Sequence, residues 1–240
     1  MRIFQKLLIH SIIFIFFPFN AYANPFDLPD QPLSKGETLL AIEKIQGLQE
    51  NIDSFKARVF QNKKTKLFRE EINTVGDITV KKPNLLYWEV EKPNKAIIVV
   101  DGEKIWIYHP ELKEVQRLFL SQNFTARYAM KFFSSSIKET LKRIEKKFHL
   151  VVYDDSVNYL LELKPRSKLT KKYLSLIHIW IRKKDGIPVR FEMMGKKKNH
   201  TVTIFKNVTI NPKIEKDLFL FKIPKGVKVL SEDEDDDEEF

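Results

Sequence analysis

The feature that most constrains this chain is a two-residue hydrophobic period that returns in short runs along most of its length. Ile78-x-Val80, Leu86-x-Trp88-x-Val90, Ile97 to Val100 and Ile105 to Tyr108 are the clearest runs of the first half. Leu150 to Tyr153, Tyr159 to Leu163, Tyr173 to Arg182, Val189 to Met194 and Thr201 to Val208 follow in the second. Successive side chains on a strand point to opposite faces, so such runs predict strands with one packed face. Asn94, Asp101-Gly102 and Asp185-Gly186 stand between runs as turn signals. Phe219, Phe221 and Ile223 predict a last short strand before Pro224 and Gly226. An antiparallel sheet of about ten strands tends to curl toward a barrel or half-barrel.

Helical periodicity appears in two places. Asn24 to Leu33 holds Pro25, Pro29 and Pro32 and reads as an extended arm. Ser34 and Glu37 then have capping-box spacing, and Ala41, Ile45, Leu48 and Ile52 share one face, so Gly36 to Asp53 is predicted as an amphipathic helix. Ser121 to Phe148 interrupts the strands: Phe124 to Phe133 predicts one helical piece. Ser136 and Glu139 form a second capping box before Ile137, Leu141, Ile144 and Phe148. The fold class is α+β, mainly β: an antiparallel meander with one helix in front and a helical insert in the middle. The helices need somewhere to bury their apolar faces, and the concave side of the sheet is the natural place. Tyr173 to Ile181 is apolar on both faces, with Leu174, Leu176 and Trp180 on one and Ile177, Ile179 and Ile181 on the other. That pattern fits a strand buried on both sides, and it fits the wall of an apolar cavity.

The N-terminus reads as an export signal. Arg2 and Lys6 precede the apolar run Leu7 to Phe17; Pro18 ends it, and Ala21-Tyr22-Ala23 supplies a small–x–small cleavage pattern. A membrane-spanning helix needs roughly 20 apolar residues, more than this run offers. The expected mature chain starts at Asn24 and lies in the periplasm. With no cysteine, it carries neither disulfides nor the acylated cysteine of an anchored lipoprotein. The net charge of the full 240-residue sequence is +10, although eight of its 32 acidic residues stand in the run Glu232 to Glu239. The body is therefore strongly basic, which suits an anionic partner such as phospholipid headgroups, or simply a solvated surface. An exported protein does not meet nucleic acid. The acidic run, residues 231–240, is expected to be disordered and to screen the basic body loosely.

Signals for catalysis are missing. There is no G-x-S-x-G, no P-loop and no cysteine nucleophile, and no histidine pair has metal-ligand spacing. The chain is expected to be neither an enzyme nor a metal or cofactor protein. His178 reads as a satisfied core histidine, Asp154-Asp155 as a turn, and Asp101 as a turn residue bonding its own backbone. Asn123, Asn199 and Asn207 each open an N-x-T triplet, which carries weight only in a eukaryotic secreted protein.

Two stretches carry a family resemblance. The first runs Gly76-x5-Lys82-Pro83-Asn84-Leu85-x2-Trp88, then Pro93, then Val99-x-Asp101-Gly102-x2-Ile105-Trp106-x-Tyr108-x-Pro110, with Phe60-Gln61 upstream. The second is Phe219-x-Phe221-x2-Pro224-x-Gly226-Val227. In order and spacing these resemble the LolA family of periplasmic lipoprotein carriers. The resemblance implies an unclosed antiparallel β-barrel, or half-barrel, lidded by an N-terminal helix and a central helical insert, over residues 24–230. It also implies a task. Triacylated lipoproteins are taken from an inner-membrane ABC exporter, shielded across the periplasm and passed to an outer-membrane acceptor lipoprotein. The chain is expected to be a monomer, and its basic body to touch anionic membrane transiently. Val80, Leu86, Trp88, Ile105 and Ile107 on strands, and Ile45, Leu141 and Ile144 on helices, are the candidates to line the acyl-binding cavity; for each, ordinary core is the competing reading. One departure stands out. The family usually has arginine before Pro-Asn, pinning the lid, and here that residue is Lys82, which lacks the planar fork. An envelope lipid or stress sensor of the same fold, and a carrier of another amphiphile, are the alternative readings.

Overall fold

The computed structural model describes residues 29, 31–65, 71–123, 130, 145–195 and 199–231. The predicted export signal, the Ser136–Glu139 capping box, Leu141, Ile144 and the acidic run Glu232 to Glu239 lie outside them.

The described residues are dominated by one long helix and one sheet, with a 3₁₀ turn at Thr170–Lys172. Helix α1 spans Lys35–Gln49 and starts at the predicted capping box: the Ser34 hydroxyl accepts from the Glu37 N–H, and the Glu37 carboxylate accepts from the Ser34 N–H at 2.9 Å. The helix ends at Gln49, short of the predicted Asp53, and Ile52 is buried in the turn that follows. The twelve strands are β1 (Ser54–Lys64), β2 (Ile72–Lys81), β3 (Leu85–Lys92), β4 (Ala96–Asp101), β5 (Lys104–His109), β6 (Glu114–Phe119), β7 (Phe148–Asp154), β8 (Asn158–Pro165), β9 (Leu174–Arg182), β10 (Pro188–Gly195), β11 (His200–Ile210) and β12 (Lys228–Ser231). They form a single sheet in the order β12-β6-β5-β4-β3-β2-β1-β11-β10-β9-β8-β7.

Two meanders meet in the middle of that sheet. One runs from β1 out to β6; the other starts at the far edge with β7 and returns to β11, which pairs antiparallel with β1 from Phe55↔Ile210 to Lys64↔His200. The sheet stays open, because β7 and β12 occupy opposite edges. The N-terminal arm lies on the β7 edge, where Pro32 bridges Tyr153 and the Leu33 N–H donates to Val152 O at 2.8 Å.

The C-terminus corrects the sequence reading twice. Phe219, Phe221 and Ile223 are not a strand: turns run from Glu215 to Leu220, and the last strand is Lys228–Ser231, beyond Gly226. That strand pairs parallel to β6, so the sheet is not antiparallel throughout. The alternation at Phe219 and Phe221 marks packing, not a ladder. Phe221 stacks on Trp106 at 5.4 Å between ring centroids and leans on Tyr108 at 5.9 Å, covering strands that are already paired.

Candidate functional site

Register decides which side chains share a face. Across the first meander one row reads Phe55↔Val80↔Leu86↔Val100↔Ile105↔Leu118, and the next Ala57↔Ile78↔Trp88↔Ile98↔Ile107↔Gln116. Ten of these twelve side chains are aliphatic or aromatic beyond alanine. Together with Val59, Leu120, Phe205 and Met130 from the insert, they build one apolar cluster. The sequence-predicted Val80, Leu86, Trp88, Ile105 and Ile107 all belong to it.

The cluster is graded in depth. Val80, Val100 and Ile105 are buried, whereas Leu86, Trp88, Ile98 and Ile107 are only half-buried. The inner face therefore presents a floor of aliphatic groups beside a partly accessible apolar wall. The indole N–H of Trp88 is itself buried and has no hydrogen-bond partner. An unmade bond of that kind is costly, and an acceptor brought by a bound molecule would relieve it.

Helix α1 covers the other half of the same face. Ala41, Ile42 and Ile45 pack with Tyr159, Leu161, Leu163, Ile179 and Ile181. Ile45 is thus in the neighbouring cluster, not in that of Trp88. Phe191 packs against both clusters, and its ring meets Phe205 edge-on at 5.9 Å, which in turn meets Phe55 at 6.3 Å. Of the residues the sequence reading passed over, Ile78, Ile98 and Val100 follow from the register alone. Phe191 and Phe205 required knowing that β11 returns to β1.

The C-terminal end of α1 is tied down by three side chains. Lys82 Nζ donates to Gln49 O at 3.0 Å, a cation on the negative end of the helix dipole. Gln49 Nε2 donates to Gly186 O at 2.6 Å, and Gly186, at φ +71°, comes so near that a Cβ there would lie 3.0 Å from Leu48 Cβ. Asn211 Nδ2 donates to Asn51 O at 2.7 Å, while its Oδ1 accepts from the N–H groups of Asp53 and Ser54. The lysine thus makes one bond to the helix end.

On the outer face of β8 to β10 sits a buried charged network. His178 Nε2 meets Glu162 Oε2 at 3.0 Å and His178 Nδ1 meets Glu192 Oε2 at 3.5 Å. Arg190 pairs with Glu192, and Lys164 Nζ lies 2.7 Å from Glu162. Burial opposes charge on Glu162, His178 and Glu192, yet the hydrogen bonds outweigh it. His178 is raised above its ordinary value by Glu192 and Glu162, and Glu192 is held down at about 2 by His178 and Arg190. His178 is therefore the satisfied core histidine expected, and β9 is buried on both faces. Asp101 also behaves as predicted: its carboxylate accepts from the N–H groups of Glu103 and Lys104 and from the Trp106 indole at 3.0 Å. Among the described residues no cluster of His, Cys, Asp or Glu could hold a metal, and no helix is long and apolar enough to cross a membrane.

Residues 50–222 match the family model described as outer membrane lipoprotein carrier protein LolA. A protein of Pseudomonas paraeruginosa called outer-membrane lipoprotein carrier protein is 25% identical over 201 residues, 83% of this chain and 92% of its own length. One of the same name from Azotobacter vinelandii is 24% identical over 232 residues, 97% of this chain and 100% of its own. Among solved structures, an uncharacterized conserved protein of Thermus thermophilus shares the fold with a TM-score of 0.52 at 11% identity, over 81% of this chain and 99% of its own. The family model spans the α1–β1 junction, both meanders and the crossing segment at Phe221: the chain belongs to the LolA family.

Proposed function

We propose that this protein is a periplasmic carrier that holds the acyl chains of lipoproteins against the inner face of its sheet and moves them from the inner to the outer membrane. The observation that carries the reading is the graded apolar face, with half-buried Leu86, Trp88, Ile98 and Ile107 beside a buried floor of Val80, Val100 and Ile105. The relatives' name supports lipoprotein as the cargo.

Each CH₂ taken out of water is worth about 0.8 kcal/mol, so free acyl chains need shelter of this kind. A carrier without its own energy source must also let go. That calls for two states close in free energy, and α1, covering half of the face and tied at one end, is the element that distinguishes them. Ile45 belongs to the lid in this account and Lys82 to its fastening. An inner-membrane ABC exporter would supply the cargo and an outer-membrane lipoprotein would accept it, with the export signal removed after Ala23.

An environment-sensitive fluorophore should bind the mature protein and be displaced by a triacylated lipoprotein at micromolar concentration. Failure of displacement, with the fluorophore bound, would point to another amphiphile. Intact-mass measurement of periplasmic protein checks cleavage before Asn24.

A further inference from the structure

One end of the sheet carries an exposed apolar pair set among cations. Between β8 and β9 the chain reads Arg166-Ser167-Lys168-Leu169-Thr170-Lys171-Lys172-Tyr173. This loop is built, not slack. The Ser167 hydroxyl accepts from the Leu169 N–H, and Lys171, Lys172 and Tyr173 donate backbone bonds to Ser167, Leu169 and Thr170 in a single 3₁₀ turn. At its base Arg166 Nε donates to Glu145 O at 2.9 Å and Phe148 O at 3.1 Å, tying the loop to the start of β7.

Two large hydrophobic side chains project from it. Tyr173 is 75% exposed and Leu169 65% exposed. Lys168, Lys171 and Lys172 are exposed between and beside them and make no ion pair with the described residues. Register adds more cations at the same end. Phe148 pairs with Pro165, Leu174 with Gly195, and Lys64 with His200, so exposed Lys63, Lys64, Lys146 and Lys147 stand along it. Among the described residues, the acids beside these cations are Glu145 and Glu71, the latter already paired with Lys64. Ser231, from which the acidic run leaves, lies opposite Arg117 near the end of β6, at the other end of the strands.

We propose that the Arg166–Tyr173 loop is a membrane-docking surface, and that its partner is a bilayer containing anionic phospholipid. Lysines near an anionic leaflet gain electrostatically within a Debye length, and tyrosine and leucine settle at the headgroup boundary. Neither signal holds a protein firmly alone; together they give reversible attachment. The purpose rests on the carrier reading, since a shuttle must touch membranes without staying. The evidence, two exposed apolar groups set among exposed lysines, is independent of it.

The test uses mature protein sedimented with vesicles of phosphatidylglycerol and phosphatidylcholine, or of phosphatidylcholine alone, at about 50 and 300 mM salt, where screening differs more than twofold in length. Wild type is expected to bind the anionic vesicles, at least tenfold more weakly at the higher salt. L169S/Y173S and K168E/K171E/K172E should each lose at least fivefold, whereas L39S/L40S, which removes an exposed pair on α1, should bind as wild type. Y173W should shift its emission to the blue on these vesicles. Loop variants that bind like wild type, an α1 variant that loses as much, or an unshifted Y173W would each overturn the proposal, and would instead mark the loop as solvated charge or an acidic protein's site. Circular dichroism confirms that each variant is folded. The acyl fluorophore, read in the same preparations without vesicles, reports the carrier reading separately.

Discussion

Lys82 Nζ holds the carbonyl oxygen of Gln49 at 3.0 Å, and so fastens the last turn of α1 to the end of β2. The Lys82 N–H also donates to Asp53 O at 2.8 Å, so main chain and side chain grip the same junction.

Lys82→Leu removes the side-chain bond and is expected to destabilise the closed arrangement of α1 by about 1.5 kcal/mol, in the range for a bond to a charged donor. Amide exchange at the C-terminal turn of α1 should speed up by roughly tenfold while exchange in β1 and β2 is unchanged. Lys82→Arg offers a planar fork to the same carbonyl end, which should tighten α1 and slow cargo transfer to an acceptor. Equal transfer rates for wild type and both variants would remove Lys82 from the mechanism.

Trp88 offers a direct optical check of the apolar face. In W106F/W180F only Trp88 remains of the three tryptophans. Its emission should be blue-shifted, because the indole N–H is buried without a partner. Acyl chains brominated along their length should quench it on binding. Trp88→Ala should weaken binding by about tenfold and lower stability by about 2 kcal/mol, less than for a fully buried tryptophan because the side chain is half-buried.

Gly76 tests the register of the first meander. A Cβ at this position would overlap Glu89 O and lie 2.9 Å from Val90 Cα, both backbone, beside the register shift between Val75 and Gly76. Gly76→Val should therefore cost more than about 3 kcal/mol, seen as a lower urea midpoint. Gly102→Ala meets no such obstacle in space; it is strained only by its φ of +108°, and should cost less.

The His178 network sets a pH window. His178 is raised, so its charged form contributes stability below its ordinary 6.5, and that contribution is lost as pH rises through the raised value. Glu192 is lowered to about 2, so its contribution is complete above its ordinary 4.5 and is lost as pH falls toward 2. Thermal stability should therefore peak in between and fall on the alkaline side. His178→Gln should remove the alkaline fall and leave the acid limb governed by Glu192 and Glu162.

Much of this was legible along the chain, because turns and caps are local. The Ser34–Glu37 box, the Asp101 turn and the Asp185-Gly186 hairpin each need only a few neighbouring residues to be specified. The apolar face of the first meander was legible through parity, since Val80, Leu86, Trp88, Ile105 and Ile107 keep one face from strand to strand. What stayed hidden depends on strand order. Glu162, His178 and Glu192 are unremarkable until three strands bring them to one spot. Phe221 alternates like a strand residue, yet it packs on Trp106 instead of pairing. The loop cations gathered at one end of the sheet were visible only as net charge.

The order of the strands also sets an order in time. β1 is synthesised early, but the partner on its open side is β11, far later in the chain, and the outer side of β6 waits for β12, later still. A chain delivered N-terminus first therefore presents two bare strand edges on its first meander until nearly all of it has arrived. Such edges template pairing with other chains, and non-local closure is slow. Premature release of an incomplete chain is accordingly a route to aggregation, and truncation just before Lys228 would leave the β6 edge permanently unpaired.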